Sequence, residues 1–385
     1  MKRFTKEKTM KPIHIGIVGI GNMGSFHAES LFTGKIHNAC LHSVMDIDQS
    51  RLDWAKKFEG VFTHNDFDTF IQDSELDAVI VATPHYFHPT LGLEVIQHKK
   101  HLLIEKPAGV FTKNVRILNR AAEQSQKVFS IMMNQRTNPL YQKIKEMIEN
   151  NELGELRRIN WIVTNWYRST TYYRSGGWRA TWEKEGGGVL LNQAPHQLDL
   201  LQWLFGMPKT ITAFMNFGAH RHITVENDVT VFLSYHNGAT GVFVTSTFDA
   251  PGTNRLEVIG SRGKLIAEQG NLTFYRLDMD EREFDSLHHE NAFAAPPFKK
   301  EVFEIKENPW GIQHQIILQN FVDAIRENKR LLAPGVEGIH GLTLSNAMHL
   351  SSFLQKTIEC EHLDEELFIR ELDKRIAMEK THENT

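Results

Sequence analysis

Short apolar runs recur along the first third of the chain, each closing on a glycine or a polar turn. His14–Val18 stops at Gly19, Leu41–Met45 at Asp46, and Ala78–Ala82 at Thr83-Pro84; His101–Ile104 and Val128–Met132 repeat the form. Between them, Gly24–Phe32, Ser50–Phe58, Leu91–Lys99 and Lys113–Ser125 carry apolar residues at helical spacing. Short buried strands alternating with helices predict βαβ units on a parallel sheet. Right-handed crossovers make that sheet a doubly wound, Rossmann-type layer.

The pattern changes after Asn134. Pro139–Asn150 is amphipathic, and longer strand-like runs follow at Arg157–Thr164, Thr210–Phe217, Val229–Tyr235, Thr240–Thr247 and Arg255–Gly260. His236-Asn237-Gly238 between two of them is a hairpin turn sequence. Helices are expected over Asn192–Gly206, Gln313–Glu327 and Gly335–Cys360. The predicted fold class is α/β plus α+β. Residues 1–134 form an N-terminal Rossmann doubly wound parallel sheet, with 1–10 as a disordered tail. Residues 135–385 form a C-terminal α+β domain on a large, mainly antiparallel open sheet that holds substrate and drives oligomerisation.

Composition narrows the function. With 385 residues, a 41% hydrophobic share and a net charge of −4, the chain can build large cores but lacks the basic excess of a nucleic-acid binder. No stretch approaches the apolar length of a membrane span, and the polar start MKRFTKEKTMKP lacks an export signal, so a cytoplasmic protein is expected. Two cysteines, Cys40 and Cys360, are too few for a disulfide framework. The 20 histidines are scattered without metal-ligand spacing, so no metal is expected.

Gly19-Ile20-Gly21-Asn22-Met23-Gly24 directly follows the first strand and opens a helix. In that context GxGxxG is a dinucleotide fingerprint. Its glycines allow a tight turn, close approach of a pyrophosphate, and close helix–strand packing. The helix N-terminus favours phosphate. Asp46 ends the second strand, 22 residues after Gly24, at the spacing of a carboxylate that accepts ribose hydroxyls. It would repel a 2′-phosphate, so NAD is expected over NADP, although Arg51 is a nearby cation.

Four segments together resemble the Gfo/Idh/MocA family of sugar and cyclitol oxidoreductases. They are Gly19–Gly24, Thr83-Pro84 with His88, Glu105-Lys106-Pro107, and Gly186-Gly187-Gly188-Val189-Leu190 leading into His196. Their order and spacing match from about Lys11 to Phe368. The resemblance implies that Lys106 steadies the reacting oxygen and that His196 is the acid/base. It implies that Asn22, Met23, Thr83, Pro84, His85, His88, Glu105 and Lys106 join the glycines and Asp46 at the cofactor. Asn192 stands where many members carry Asp; it is assigned to catalysis and substrate orientation. Within the expected helix, Asn192 and His196 share a face, with Asp199 next to them.

The stretch from Trp161 to Trp182 is rich in Trp, Tyr and Arg. Aromatic faces stack on sugars and arginines donate to hydroxyls or carboxylates. Tyr167, Arg168, Trp178 and Arg179 are therefore read as substrate contacts on a covering segment, joined by Arg136, Asn192, His196 and His314. Tyr141 and Lys145 form a YxxxK spacing, set aside because the fingerprint differs from that of short-chain dehydrogenases. The expected function is NAD-dependent hydride transfer at a ring carbon of a sugar, glycoside or inositol, by a homodimer or homotetramer. The alternatives are a non-catalytic NAD(P)-binding regulator on the same fold, or a dihydrodiol- or biliverdin-type reductase.

Overall fold

The computed structural model describes residues 11–287 and 289–383; the expected N-terminal tail lies outside them. Six parallel strands form the first sheet: β1 (Ile13–Val18), β2 (Ala39–Met45), β3 (Phe62–His64), β4 (Ala78–Val81), β5 (His101–Ile104) and β6 (Phe129–Ile131), in the order β3-β2-β1-β4-β5-β6. The order reverses beside β1, which opens the crevice where such sheets bind ligands. The intervening helices are α1 (Asn22–Phe32), α2 (Gln49–Ala55), α3 (Phe67–Ile71), α4 (Phe87–Gln97) and α5 (Thr112–Ser125). Strand β3 and helix α3 escape the sequence pattern because β3 is a three-residue edge strand with Phe62 turned to solvent.

The second sheet has nine strands. They are β7 (Leu156–Val163), β8 (Thr210–Phe217), β9 (Glu226–Ser234), β10 (Thr240–Ser246), β11 (Asn254–Gly260), β12 (Gly263–Glu268), β13 (Asn271–Leu277), β14 (Phe298–Phe303) and β15 (Ile358–Glu359), ordered β14-β13-β12-β11-β7-β10-β9-β8-β15. Only β7 and β10 pair in parallel; the other neighbours are antiparallel. The sequence pattern misses β12–β15. Their outward positions carry charges such as Lys264, Glu268 and Arg276, and β14 is an exposed edge.

One face of this sheet buries Ile159, Trp161, Phe243, Val258 and Phe274. They pack with α6 (Pro139–Glu149) and with residues of three later helices. Ile162, Phe214 and Phe232 on the opposite face are exposed. The remaining helices are α7 (Thr170–Arg174), α8 (Val189–Asn192), α9 (Pro195–Phe205), α10 (Glu281–Ser286), α11 (Ile312–Glu327), α12 (Gly338–Leu354) and α13 (Glu365–Glu383). The last three do not belong to the second sheet alone. Ile317 and Phe321 of α11, Leu342 of α12 and Phe368 of α13 lie in the same core as Ile17, Ile80 and Leu103 of the first sheet.

Two helix expectations need correction. The single helix expected over Asn192–Gly206 is broken between α8 and α9, because Pro195 starts a new helix and has no N–H to continue the old one. Gly335–Cys360 is a 3₁₀ turn, then α12, then β15; a left-handed Gln355 stops α12. Helix α13 was not anticipated. Tyr141 of the YxxxK spacing is buried against Trp161, and Lys145 donates to the Trp203 carbonyl at 2.7 Å, so that pair supports packing. Among the described residues no helix is long and apolar enough to cross a membrane.

Candidate active site

Gly19 turns the chain after β1 with a φ of +83°, a conformation that costs glycine little. A Cβ on Gly24 would lie 1.9 Å from the Gly19 carbonyl oxygen, whereas one on Gly21 would meet nothing within 4 Å. The first contact is the helix packed on its own loop; the second is open space at the N-terminus of α1, which no side chain caps. Free N–H groups beside open space suit a pyrophosphate. Asp46 is pinned at this loop. Its carboxylate accepts from Ile20 N at 2.8 Å and from Asp48 N at 2.9 Å. Arg51 donates to the Ile20 carbonyl at 3.1 Å, so a cation and a carboxylate stand at the same end of the crevice.

Glu105-Lys106-Pro107 leaves the C-terminal end of β5. Glu105 is buried and bonds His27 Nε2 at 2.8 Å. Burial works to raise its pKa, but His27 and the Lys106 charge outweigh it and hold the carboxyl at about 2. His88 uses both ring nitrogens, bonding the Pro107 and Thr83 carbonyls at 2.7 Å each, and is fully buried. Glu105 and His88 were expected at the cofactor. In the structure both bond protein groups, His88 stapling the lysine loop to the Thr83-Pro84 turn. His85 is also buried, its Nδ1 3.2 Å from the Glu185 carbonyl.

The Gly186–Gly188 run brings α8 against this loop. A Cβ on Gly188 would come within 2.0 Å of the Glu226 carbonyl oxygen. The buried Glu226 carboxylate accepts from Gly188 N and Leu190 N, with His349 Nε2 3.1 Å away. Lys106 Nζ then donates to the Asn192 carbonyl at 3.0 Å. Burial lowers the Lys106 pKa, Arg179 and Arg168 lower it further, and Glu105 and Glu185 oppose them.

Glu185 is the residue that sequence reasoning overlooked. It is 2% exposed, and its carboxylate accepts from the Asn192 side-chain amide and from Ala180 N. Burial pushes its pKa up to about 7. A carboxylate next to a glycine run reads as a loop residue, and only the fold shows that it points inward. Asn192 is fully engaged: its amide faces Glu185, its side-chain oxygen accepts from Tyr172 Oη at 3.4 Å, and its carbonyl holds Lys106.

His196 sits in the first turn of α9, with Nδ1 buried and unpartnered among the described residues. Burial, reinforced by the charges of Lys106 and His314, pushes its pKa down to about 3, so the ring is neutral at pH 7. His314 packs against Phe26 and Trp310 and meets the Asn134 amide at 3.2 Å. The covering segment reaches this group through Tyr172. Arg179 and Gln193 donate to its hydroxyl at 2.8 and 3.1 Å, and Arg168 lies over its ring. Trp178 is half-buried between His85 and Arg179, while Tyr167 is exposed under Arg221.

Arg136, expected as a substrate contact, is held by protein carboxylates. It is 2% exposed, bidentate to Asp199 at 2.8 and 2.6 Å and also paired with Glu337. Its donors are directed at these carboxylates and at the Leu332 carbonyl, so Asp199 is occupied by Arg136.

Comparison with known proteins fits this arrangement. The family profile described as oxidoreductase family, NAD-binding Rossmann fold, matches residues 13–150, and that of the Gfo/Idh/MocA C-terminal domain matches residues 141–266. The chain belongs to the Gfo/Idh/MocA oxidoreductase family. Its N-terminal sheet is the family's NAD-binding domain, and the glycine loop and Asp46 fit that cofactor. Myo-inositol 2-dehydrogenase of Thermotoga maritima is 27% identical over 66% of this chain and 75% of its own length. The scyllo-inositol 2-dehydrogenase (NADP+) of Bacillus subtilis is 26% identical over 91% of this chain and 96% of its own. The WlbA dehydrogenase of Bordetella pertussis, solved with NADH and UDP-GlcNAcA, superimposes with a TM-score of 0.74 at 22% identity, covering 90% of this chain and 98% of that one. That last likeness is one of fold.

Proposed function

We propose that the protein oxidises a secondary hydroxyl on a sugar, glycoside or cyclitol ring, with NAD as partner. The observation that carries this reading is the convergence of Lys106, His196 and the Asn192–Glu185 pair at the C-terminal end of β5, beside the glycine loop. The inositol dehydrogenases among the relatives support the substrate class.

Bound nicotinamide supplies the hydride acceptor for oxidation and the donor for reduction. The protein handles the proton and the oxygen. His196, neutral at working pH, takes the hydroxyl proton, and returns it in the reverse direction. Lys106 has three donors and uses one on the Asn192 carbonyl, leaving two for the reacting oxygen. Its ammonium stabilises the negative charge that develops there. Glu185 lies behind Asn192 and supports the cationic form of Lys106 electrostatically. Glu185 thus acts as a positioning residue, carrying the charge that an Asp at position 192 would bring. Tyr172 and Arg179 hold the aromatic segment over the ring. The uncovered face bearing Ile162, Phe214 and Phe232 is the surface through which two copies pair.

The test follows the absorbance of reduced nicotinamide with a panel of inositols, aldoses and glycosides. Turnover that disappears in both Lys106→Ala and His196→Ala supports the assignment. Turnover surviving both substitutions overturns it, and NAD binding without turnover of any polyol favours the regulator reading.

A further inference from the structure

Beyond the covering segment lies a cavity of about 700 Å³. Tyr173, Arg174 and Arg179 border it on one side, Arg221 and His222 on the other, and Glu379 of α13 also lines it. This volume is within the range of ligand sites for molecules larger than one ring.

The charge of the lining is one-sided. Arg179 bonds the Tyr172 hydroxyl, Arg221 donates to the backbone carbonyls of Arg168 and His220, and among the described residues the Arg174 guanidinium makes no hydrogen bond. Among the described residues none of the three forms an ion pair. Arg255 and Arg276, on β11 and β13 of the second sheet, by contrast each hold two carboxylates. Glu379, the one carboxylate on the lining, is already occupied: it accepts from Trp182 N at 3.1 Å, from Glu183 N at 3.2 Å and from the Thr224 hydroxyl. Three guanidinium groups against one engaged carboxylate leave a cationic recess.

The recess adjoins the reacting centre through Arg179 and Tyr172. Arg179 lines it, and the same guanidinium lowers the pKa of both Lys106 and Glu185. Tyr172 links the two sides, bonded to Arg179 outward and to Asn192 inward. A substituent on a ring held at Lys106 would reach Arg174 and Arg221 by passing Tyr172 and Arg179.

We propose that this recess is an anion subsite, which takes a phosphate or carboxylate carried by the substrate away from its reacting carbon. Guanidinium forks match both anions with paired hydrogen bonds. A neutral polyol leaves the three arginines hydrated and gains nothing from them. The substrate class becomes an acidic or phosphorylated sugar rather than a free cyclitol. This rests on the oxidoreductase reading for its substrate, but not for its binding measurement.

The experiment is titration calorimetry on the full chain saturated with NAD, using glucose, glucose 6-phosphate, glucuronate and uridine diphosphate as probes. The wild type is expected to bind at least one anionic probe roughly tenfold or more tightly than glucose, with affinity falling as salt rises. Phosphate against carboxylate probes identifies which anion the subsite takes. Arg174→Glu and Arg174→Ala/Arg221→Ala are expected to abolish the difference while NAD affinity stays unchanged. Arg174→Glu removes a guanidinium with no bond to the protein, so it remains informative if the Arg221 loop rearranges. Equal binding of neutral and anionic probes, or unaltered anion binding in Arg174→Glu, overturns the proposal. Anion binding that is lost in the variants, without turnover of any sugar, retains the subsite and removes the oxidoreductase reading. Turnover of neutral sugars that ignores both substitutions does the reverse.

Discussion

Asn192 turns its side-chain amide to the buried carboxylate of Glu185, while its own carbonyl receives the Lys106 ammonium. The pair places a carboxylate directly behind the side chain at the position where many family members carry Asp. Asn192→Asp alone would set two carboxylates against each other in a buried site, where one must stay protonated. We expect kcat/KM to fall about tenfold or more in Asn192→Asp, and also in Glu185→Gln. The double variant Glu185→Gln/Asn192→Asp recovers much of the loss. Steady-state kinetics on the four proteins measures the coupling, and purely additive losses would show that the two residues act independently.

Glu185 also sets a pH dependence. Its pKa is raised to about 7, so activity should climb as pH rises through that value and the ionised carboxylate supports Lys106. His196, held near 3, contributes no step in this range. Glu185→Gln is expected to flatten the limb near pH 7 in kcat/KM.

The same shift acts on stability with the opposite sense. A carboxyl whose folded pKa exceeds its unfolded value favours folding fully below the unfolded pKa and loses that contribution as pH rises through about 7. At pH 8 the ionised Glu185 opposes folding by on the order of 3 kcal/mol. Thermal unfolding should therefore show Glu185→Gln gaining on the wild type between pH 5 and pH 8. A constant gap across that range would contradict the burial argument.

Gly21 and Gly24 separate cofactor binding from folding. Gly24→Ala forces a Cβ into the Gly19 carbonyl and should lower the melting temperature without any cofactor present. Gly21→Ala meets open space and should leave the apoprotein's melting temperature intact. It should weaken NAD by roughly tenfold or more, since the methyl group enters the pyrophosphate's place. Fluorescence titration with NADH, paired with calorimetry, distinguishes the two.

Arg136 is a structural cation. Arg136→Ala leaves Asp199 buried without its bidentate partner and is expected to cost about 3–5 kcal/mol. Denaturant unfolding measures this. A substrate-contacting arginine would instead raise KM with little loss of stability.

The sequence carried five of the six strands of the first sheet, because those strands are largely buried and read as apolar runs, whereas the edge strand β3 is exposed. Strands β12 to β14 were lost because each is wet on one side, and charges interrupt the pattern. At the site, Lys106, His196 and the glycine loop were legible as motifs. The partners of His88, Glu105 and Arg136 were not, since His88 bonds carbonyls and the other two reach residues 78 and 63 positions away. Glu185 had no sequence mark at all. Its inward direction follows from the glycine turn beside it and from Asn192, the last residue of α8, turning back to meet it.

Helices α11, α12 and α13 have a consequence for how the molecule is made. Phe321, Leu342 and Phe368 complete the core that begins at Ile15, so the nucleotide-binding half is the first to be synthesised and the last to be sealed. Until Phe368 leaves the ribosome, its contacts are missing and part of that core faces water. The half is therefore not a transferable cassette. A fusion that grafts residues 11–134 onto another protein's tail would carry the fingerprint and lack its roof.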